Sequence, residues 1–465
     1  MAGQKTMTAR EIALQTLSAC ERQGAWSDGY LNRALREARL DGRDAALATR
    51  LCFGVLQNRM LLDFYLGKFS SMPPEKMEIN VRCALRLAVY QMAFLTKIPA
   101  SAAVNESVEL VKRYSKNPRA AGLCNGVLRA LARHLDDLPQ VDRRSSVHYL
   151  ATLYSHPAWL VEEFIGTLGP EEAEALLRAD NQEPPTCIQV NTLKTTAEEL
   201  LRELSLAGAQ AQRHPWLEDC LFLTGAGDLE RLPAFQEGRF YVQDPAARLA
   251  VMAAGAEPGM RVLDACAAPG GKSFAAAIAM EDRGEIVSCD IHSRKQGLIE
   301  SGAARLGLGC ITARTLDAKL RREEFAQAFD LVVADVPCSG LGIIRKKPDI
   351  RYKDPGPLEN LLAVQSAILD NVAGYVRPGG VLLYATCTLR ERENGAVVRA
   401  FLKQHSDFVL EQFRLPEPIG CVEEGMLTLW PHRHGTDGFF FARLRRSEGA
   451  ARTPRPTAAR SEEIS

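Results

Sequence analysis

The segment 261-RVLDACAAPGGKSFAAAIA-279 constrains the fold of this chain more than any other. An apolar run ends in Asp264, a short loop carries Pro269-Gly270-Gly271, and a small-residue helix follows. Strand, glycine turn and helix in that order open a βα unit, and the free N–H groups of the helix start make a place for an anion or a cofactor. From Gly238 onward strands and helices keep alternating, which predicts a parallel, doubly wound α/β sheet over 237–446.

Two familiar ligands fit the turn poorly. Gly271-Lys272-Ser273 ends like a phosphate-binding P-loop, but that motif needs Gly where Cys266 stands. Pro269 also removes an N–H that a phosphate nest would use. The dinucleotide pattern G-x-G-x-x-G is absent, so a hydride-transfer cofactor is a poor match. What remains is a bare turn that lets the backbone approach a neutral or cationic cofactor. Asp290 closes 285-EIVSCD-290, Asp317 follows 310-CITART-315 and Asp335 closes 329-FDLVVAD-335. Singly, each acid is as well explained as a helix N-cap. With Asp264 they make four, all at the carboxyl edge where a doubly wound sheet binds its ligand, and Asp290 stands about where an acid bonds ribose hydroxyls.

The first 136 residues read differently. Thr8 and Glu11 fit a capping box, and the segments 45–66, 81–95, 102–114 and 120–135 lack strand alternation and are rich in Ala, Leu and Arg. An all-α bundle follows. The stretch 136-DDLPQVDRR-144 is the expected linker. Residues 145–236 mix helices (158–169, 196–208) with short strands (187–193, 220–225), a small α+β module. The tail 447–465 has no core-forming pattern and is expected to be disordered.

The net charge of zero conceals a segregation: residues 1–135 carry 20 Lys and Arg against 11 Asp and Glu, and residues 136–235 carry 7 against 17. A basic N-terminal unit points to an acidic partner, nucleic acid first. With 46% hydrophobic and 25% charged residues the composition is that of a soluble globular protein. No apolar run approaches the roughly 20 residues of a membrane span, and the N-terminus has no signal-like apolar region, so a cytoplasmic protein without a membrane partner is expected. The 12 Cys form no C-x-x-C pair and no zinc-like spacing with His, so no metal is expected and the thiols are expected to be reduced.

Two resemblances sharpen these readings. The stretch 98-IPASAAVNESVELVKRYSKNPRAAGLCNGVLRAL-131, with Asn105-Glu106 and Asn125-Gly126, resembles the closing helices of the NusB family, a helical RNA-binding fold. The string DACAAPGGK, with DVPCSG and YATCTL downstream, resembles S-adenosylmethionine-dependent RNA cytosine-C5 methyltransferases. The order of NusB-like bundle, small α+β module and Rossmann-like methyltransferase core resembles the RsmB (Sun/Fmu) family, whose members methylate a cytosine in 16S small-subunit ribosomal RNA. The resemblance implies a cytosine-967-type target, with Cys266, Ala267, Ala268, Pro269, Gly270, Gly271 and Lys272 around the methionine end of S-adenosyl-L-methionine. It places Asp290 on the ribose, Asp317 near the adenine and Asp335 between cofactor and base.

Carbon-5 of cytosine is too weak a nucleophile to take a methyl group directly. A thiolate adding at carbon-6 makes the ring an enamine that can, which requires a Cys in a thiolate-favouring site and an acid at the N3 edge. Two Cys qualify at neighbouring strand ends: Cys338 in 335-DVPCSG-340 and Cys387 in 384-YATCTL-389. The resemblance to the RNA enzymes assigns attack to Cys387, product release to Cys338, and base hydrogen bonding with support of N3 protonation to Asp335. Lys272 belongs to the same matched string.

A base inside a duplex cannot reach Cys387, so the target must be single-stranded or flipped out. The loop 343-IIRKKPDIRYKDPG-356 carries Arg345, Lys346, Lys347, Arg351 and Lys353 around Tyr352 and is expected to grip RNA phosphates at the crevice mouth. Gln243 and Asp244 begin the catalytic domain and are expected near its pocket. A hairpin is expected over 426–446, with His432 and His434 as turn residues. A monomer is expected. Two other functions stay open at this stage: a cytosine-C5 methyltransferase of transfer RNA or DNA, and a non-catalytic RNA-binding or antitermination factor on the same platform.

Overall fold

The computed structural model describes residues 7–225, 227–353 and 358–449. Its N-terminal part is a bundle of seven helices: α1 (Ala9–Gln23), α2 (Ser27–Ala38), α3 (Gly42–Gln57), α4 (Arg59–Phe69), α5 (Ile79–Phe94), α6 (Ala100–Tyr114) and α7 (Ala120–Ala132). The capping box forms as expected, with Glu11 N–H donating to Thr8 Oγ1 at 3.2 Å and Thr8 N–H to the Glu11 carboxylate at 2.8 Å. The expected 45–66 helix is two helices. At Asn58 the backbone leaves helical values (φ −116°, ψ 14°), and Asn58 Nδ2 donates to Gly54 O at 2.9 Å, ending α3. Leu51, Leu62, Leu85, Leu87 and Leu128 are fully buried in the bundle core, each contributing about 1.5–3 kcal/mol.

Three further helices, α8 (Ser146–Tyr154), α9 (Ala158–Leu168) and α10 (Pro170–Asp180), pack on Leu341, Ile344, Ile350 and Leu389 of the C-terminal part. The small sheet that follows has the antiparallel order β2-β3-β1-β4, from β1 (Thr186–Val190), β2 (Gln210–Arg213), β3 (Cys220–Thr224) and β4 (Phe240–Val242). Helix α11 (Ala197–Leu206) lays Leu200 and Leu204 on it, and the short α12 (Pro233–Gln236) leads into β4. The sheet therefore runs past the expected boundary at 236. Strand alternation explains why: Phe240 fills the small module's core, while Tyr241 faces the core of the C-terminal sheet.

After α13 (Pro245–Ala254), the C-terminal part alternates β5 (Arg261–Asp264), α14 (Gly271–Ala279), β6 (Glu285–Asp290), α15 (Ser293–Leu306), β7 (Ile311–Thr315), β8 (Phe329–Asp335), α16 (Leu358–Ala373), β9 (Val376–Thr386) and α17 (Gly395–Gln404). Strands β10 (Phe408–Leu410), β11 (Phe413–Arg414), β12 (Cys421–Val422), β13 (Met426–Leu429) and β14 (Phe439–Arg446) close it, with a helical turn α18 (Pro431–His434) between the last two. β13 and β14 pair antiparallel, forming the expected hairpin. The main sheet runs β10-β14-β9-β8-β5-β6-β7, and β5 to β9 are parallel. Chain order reverses at β5, between β6 and β8, so the ligand crevice of such a sheet opens at the carboxyl ends of β5 and β8. Apolar cores cover both faces, one holding Phe274, Ile278 and Ile299, the other Leu369, Val372 and Phe401. Of the tail 447–465 expected to be disordered, residues 447–449 are described, with Ser447 N–H donating to Asp407 O at 2.8 Å, and 450–465 lie outside the described residues.

Candidate active site

Parallel register sets the site. Asp264 is aligned with Ser288 of β6 and Val333 of β8, and Asp335 with Ala385 of β9. Asp264, Asp290, Asp335 and Cys387 thus leave neighbouring strands at one edge, and Cys338 follows Asp335 by three residues. The Cys338 and Cys387 sulfurs are 3.1 Å apart, and the Cys387 N–H donates to Cys338 Sγ at 3.2 Å. The hydrogen bond to Cys387, then burial, then the charges of Glu393 and Asp335 push the Cys338 thiol well up. Either sulfur can be the donor of that contact.

Lys272, in the first turn of α14, donates to Asp335 Oδ2 at 2.6 Å and lies 5.0 Å from the Phe439 ring centre. Burial pulls the ammonium down, but Asp335 overrides it, with smaller help from Asp264 and Cys387, and the net shift is upward. A fixed cation beside a thiol favours its thiolate. Asp264, 1% exposed, accepts from Ser273 Oγ at 2.7 Å, while its other oxygen, Oδ1, has no hydrogen-bond partner. Burial drives its carboxyl up to about 6 against the opposing Ser273 and Lys272 contacts. Asp290 caps its own turn through His292 N–H at 2.9 Å, and Asp317 accepts from Lys319 N–H at 3.0 Å. In the turn from Cys266 to Gly271, Gly270 has φ +112°, which a side chain would resist, and the Phe274 ring fills the space where its Cβ would lie. Gln243 stands against this turn: a Cβ on Gly271 would lie 3.2 Å from its Nε2.

Four residues to which the sequence reading gives no role tie the two Cys loops together, Ser339 and Thr388 from within the two Cys motifs, Gln365 and Glu393 from outside them. Glu393, 1% exposed, accepts from Ser339 N–H at 2.8 Å, Ser339 Oγ at 2.6 Å and Gln365 Nε2 at 3.0 Å. Ser339 Oγ also meets Thr388 Oγ1 at 2.8 Å. Glu393 hides in the charged run 390-RERE-393, and no local pattern marks it as the inward one.

The basic loop needs a correction. Arg351 is fully buried and donates to Asn181 Oδ1 at 2.8 Å and Tyr154 O at 3.1 Å. Lys346 bridges Asp244 and Asp437 at 2.7 Å each, Lys347 pairs with Asp28 at 3.0 Å, and Lys353 donates to Gly24 O at 2.8 Å. Arg345 is 7% exposed. Over its described residues 343–353 the loop is a staple between the helical bundle, α8–α10 and the main sheet, since Lys346, Lys347, Arg351 and Lys353 find acceptors on those elements. Residues 354–356 lie outside the described residues. His432 pairs with Glu172 at 3.0 Å, a docking contact of the turn.

Comparison with known proteins matches all three parts. Residues 251–445 match the 16S rRNA methyltransferase RsmB/F model, 7–133 the NusB family, and 156–230 the ferredoxin-like domain of RsmF/B-like methyltransferases. A protein of Bacillus subtilis named probable ribosomal RNA small subunit methyltransferase B is 38% identical, covering 95% of this chain and 99% of its own length. A Synechocystis protein of the same name is 34% identical over 95% of this chain and 100% of its own. The crystal structure of PH0851 superposes with a TM-score of 0.78 at 26% identity, covering 94% of this chain and 98% of that one. With relatives matched from end to end, the chain belongs to the RsmB/F family of 16S rRNA methyltransferases.

Proposed function

We propose that this protein, in the cytoplasm, moves the methyl group of S-adenosyl-L-methionine to carbon-5 of a cytosine in 16S ribosomal RNA, at a cytosine-967-type site, through a transient Cys387–carbon-6 bond. The observation that carries this reading is the contact of two sulfurs at 3.1 Å beside the Lys272–Asp335 pair. The names of the relatives support ribosomal RNA over transfer RNA or DNA. The crevice residues fit the cofactor. Asp264 has a buried oxygen free to accept, Asp290 lies at the ribose position of the doubly wound sheet, and the Cys266–Gly271 turn admits close approach. Bound there, S-adenosyl-L-methionine supplies an electrophilic methyl group.

The residues divide the work. Cys387 gives its proton to solvent and its Sγ adds to carbon-6; the carbon-5–carbon-6 electrons move toward carbon-4, the carbon-4–N3 electrons move onto N3, and N3 takes a proton from solvent. Asp335, oriented by Lys272, hydrogen-bonds the base there. Once carbon-5 carries the methyl group, Cys338 Sγ, its own proton passed to solvent, takes the carbon-5 proton. That electron pair forms the carbon-5–carbon-6 double bond, the Cys387–carbon-6 bond breaks to leave the Cys387 thiolate, and N3 gives its proton back to solvent.

Bisulfite sequencing of ribosomal and transfer RNA from cells with and without the gene tests the reading. Loss of one cytosine mark in 16S RNA is expected. An unchanged map overturns it, and a mark lost only from transfer RNA moves the target.

A further inference from the structure

The two sulfurs of the crevice meet each other directly. Cys338 Sγ and Cys387 Sγ are 3.1 Å apart, and a disulfide needs about 2.0 Å, so closure of about 1 Å would join them. They follow the paired residues Asp335 and Ala385 by three and two positions, at the ends of adjacent parallel strands. The residues behind them hold the two loops together. Ser339 Oγ meets Thr388 Oγ1 at 2.8 Å, and Gly342 N–H donates to Cys387 O at 2.9 Å. Glu393 accepts from Ser339 Oγ at 2.6 Å.

The other cysteines stand apart in their chemistry. Most are buried. Cys20, Cys266 and Cys310 are half-buried, and burial pushes all three thiols up, Cys20 and Cys310 to about 12, which keeps them protonated and inert. Cys387 is half-buried too, but the Lys272 ammonium lies close enough for the two charges to interact. A cation beside a sulfur favours its thiolate, the form that a peroxide oxidises. Cys338, in contact with that sulfur, is in place to resolve the oxidised product.

We propose that Cys338 and Cys387 form a reversible disulfide when a peroxide enters the crevice, which stops methyl transfer and shields the attacking sulfur from further oxidation. The step balances in two stages. The Cys387 thiolate attacks one peroxide oxygen; the O–O bond breaks, the leaving hydroxide takes a solvent proton, and Cys387 becomes a sulfenic acid. Cys338 Sγ then attacks the Cys387 sulfur; the S–O bond breaks, and hydroxide leaves as water with the Cys338 proton. The sulfurs have lost two electrons to the peroxide, and two waters have formed. A dithiol reverses the state by thiol–disulfide exchange. Without Cys338 beside it, the sulfenic acid is open to oxidation to a sulfinic acid, which a dithiol does not reduce. The proposal rests on the reading that Cys387 attacks carbon-6.

The test uses the full chain, hydrogen peroxide, and a 16S RNA fragment spanning the methylated cytosine. Trypsin cuts after Arg322, Arg345, Lys353 and Arg390, so Cys338 and Cys387 fall in separate peptides. In chains that run as single copies on a non-reducing gel, peroxide should join these two peptides, two hydrogens lighter than their sum. Methyl transfer should be lost at the same time. Dithiothreitol should separate the peptides and restore transfer. Cys338→Ser cannot form the bond, and its Cys387 sulfur should instead gain peroxide oxygens, read by mass, with the sulfinic acid resistant to the dithiol. Peroxide that leaves methyl transfer untouched, or a loss of transfer without the joined peptides or without recovery, overturns the switch. Joined peptides in a protein that transfers no methyl group even before oxidation would instead overturn the Cys387 reading and leave the disulfide standing.

Discussion

Cys338 and Cys387 leave adjacent parallel strands with their sulfurs 3.1 Å apart, and the backbone N–H of the second donates to the sulfur of the first. This geometry makes the two thiols unequal, because Cys338 is the one held protonated. Cys387→Ala should lower methyl transfer below about one part in a thousand. Cys338→Ala should still attack but fail to release, leaving a protein–RNA adduct that survives denaturant. Labelled RNA on a denaturing gel reads both. Full turnover by Cys387→Ala, or an adduct trapped by that variant instead, reverses the assignment.

Lys272 and Asp335 form one unit at the crevice, joined at 2.6 Å. Removing Lys272 frees Asp335 to turn from the base, and removing Asp335 leaves a buried cation without its partner. Lys272→Met and Asp335→Asn should each lower kcat about 10²–10⁴-fold, and the double variant should lose little more than the worse single one. Additive losses in that double-mutant cycle would mean that the two act independently.

The main strand ends are legible in the sequence because each closes an apolar run with an acid, and parallel pairing then leaves little freedom in where Asp264, Asp290 and Asp335 lie. The supporting groups are not legible. In 390-RERE-393 two acids alternate with two arginines, and only the turn after β9 decides that Glu393 faces Ser339 while Glu391 stays at the surface beside Arg399. The cations of 345–353 read as a phosphate grip because their acceptors are far away in sequence. Asp28, Asn181, Asp244 and Asp437 are brought to them by tertiary docking. The boundary after 236 fails for a similar reason: in 240-FYV-242 successive side chains serve two different cores.

Glu393 collects three donors and holds the Cys338 loop to the Cys387 loop. Glu393→Ala leaves those donors unpaired in the interior and should cost about 1–3 kcal/mol of stability. Glu393→Gln is the sharper variant. It removes a charge that helps keep the Cys338 thiol up, so Cys338 should ionise at lower pH than in the wild type. Alkylation of Cys338 followed by mass spectrometry across a pH series should show its rise shifted to lower pH. A shift to higher pH, or none, would show that the Glu393 charge does not act on the sulfur.

Arg351 joins the three parts through side-chain donation to the Gln57 carbonyl of the helical bundle, and to Asn181 and the Tyr154 carbonyl. Arg351→Met keeps the volume but takes its donor from Asn181 Oδ1 and its cation from beside Asp180, and should cost on the order of 3 kcal/mol. The loss should fall on the junction: limited proteolysis should cut within 138–145 faster than in the wild type, before the catalytic core unfolds. Unchanged cleavage there would remove Arg351 as the staple.

Asp180 ends α10, fully buried, with His156 Nε2 at 3.4 Å and with Arg351, Arg345 and Asp437 acting on it. Burial outweighs both guanidiniums and pushes its carboxyl up to about 7. In the unfolded chain it ionises near about 3.9. Between those values the folded protein holds a proton that the unfolded chain has lost. Stability from this group is therefore present at low pH and falls as pH rises through the window, by up to about 1.4 kcal/mol per pH unit. His156 acts with the opposite sign: burial keeps it neutral when folded, which costs stability only below its ordinary value of about 6.5. Asp180→Asn removes the first slope and leaves the second. Urea unfolding at pH 5 and pH 8 should show the variant gaining on the wild type by a few kcal/mol at the higher pH. Equal differences at the two pH values would mean that Asp180 carries its charge in the folded protein, and the balance between burial and the two arginines would have to be reversed.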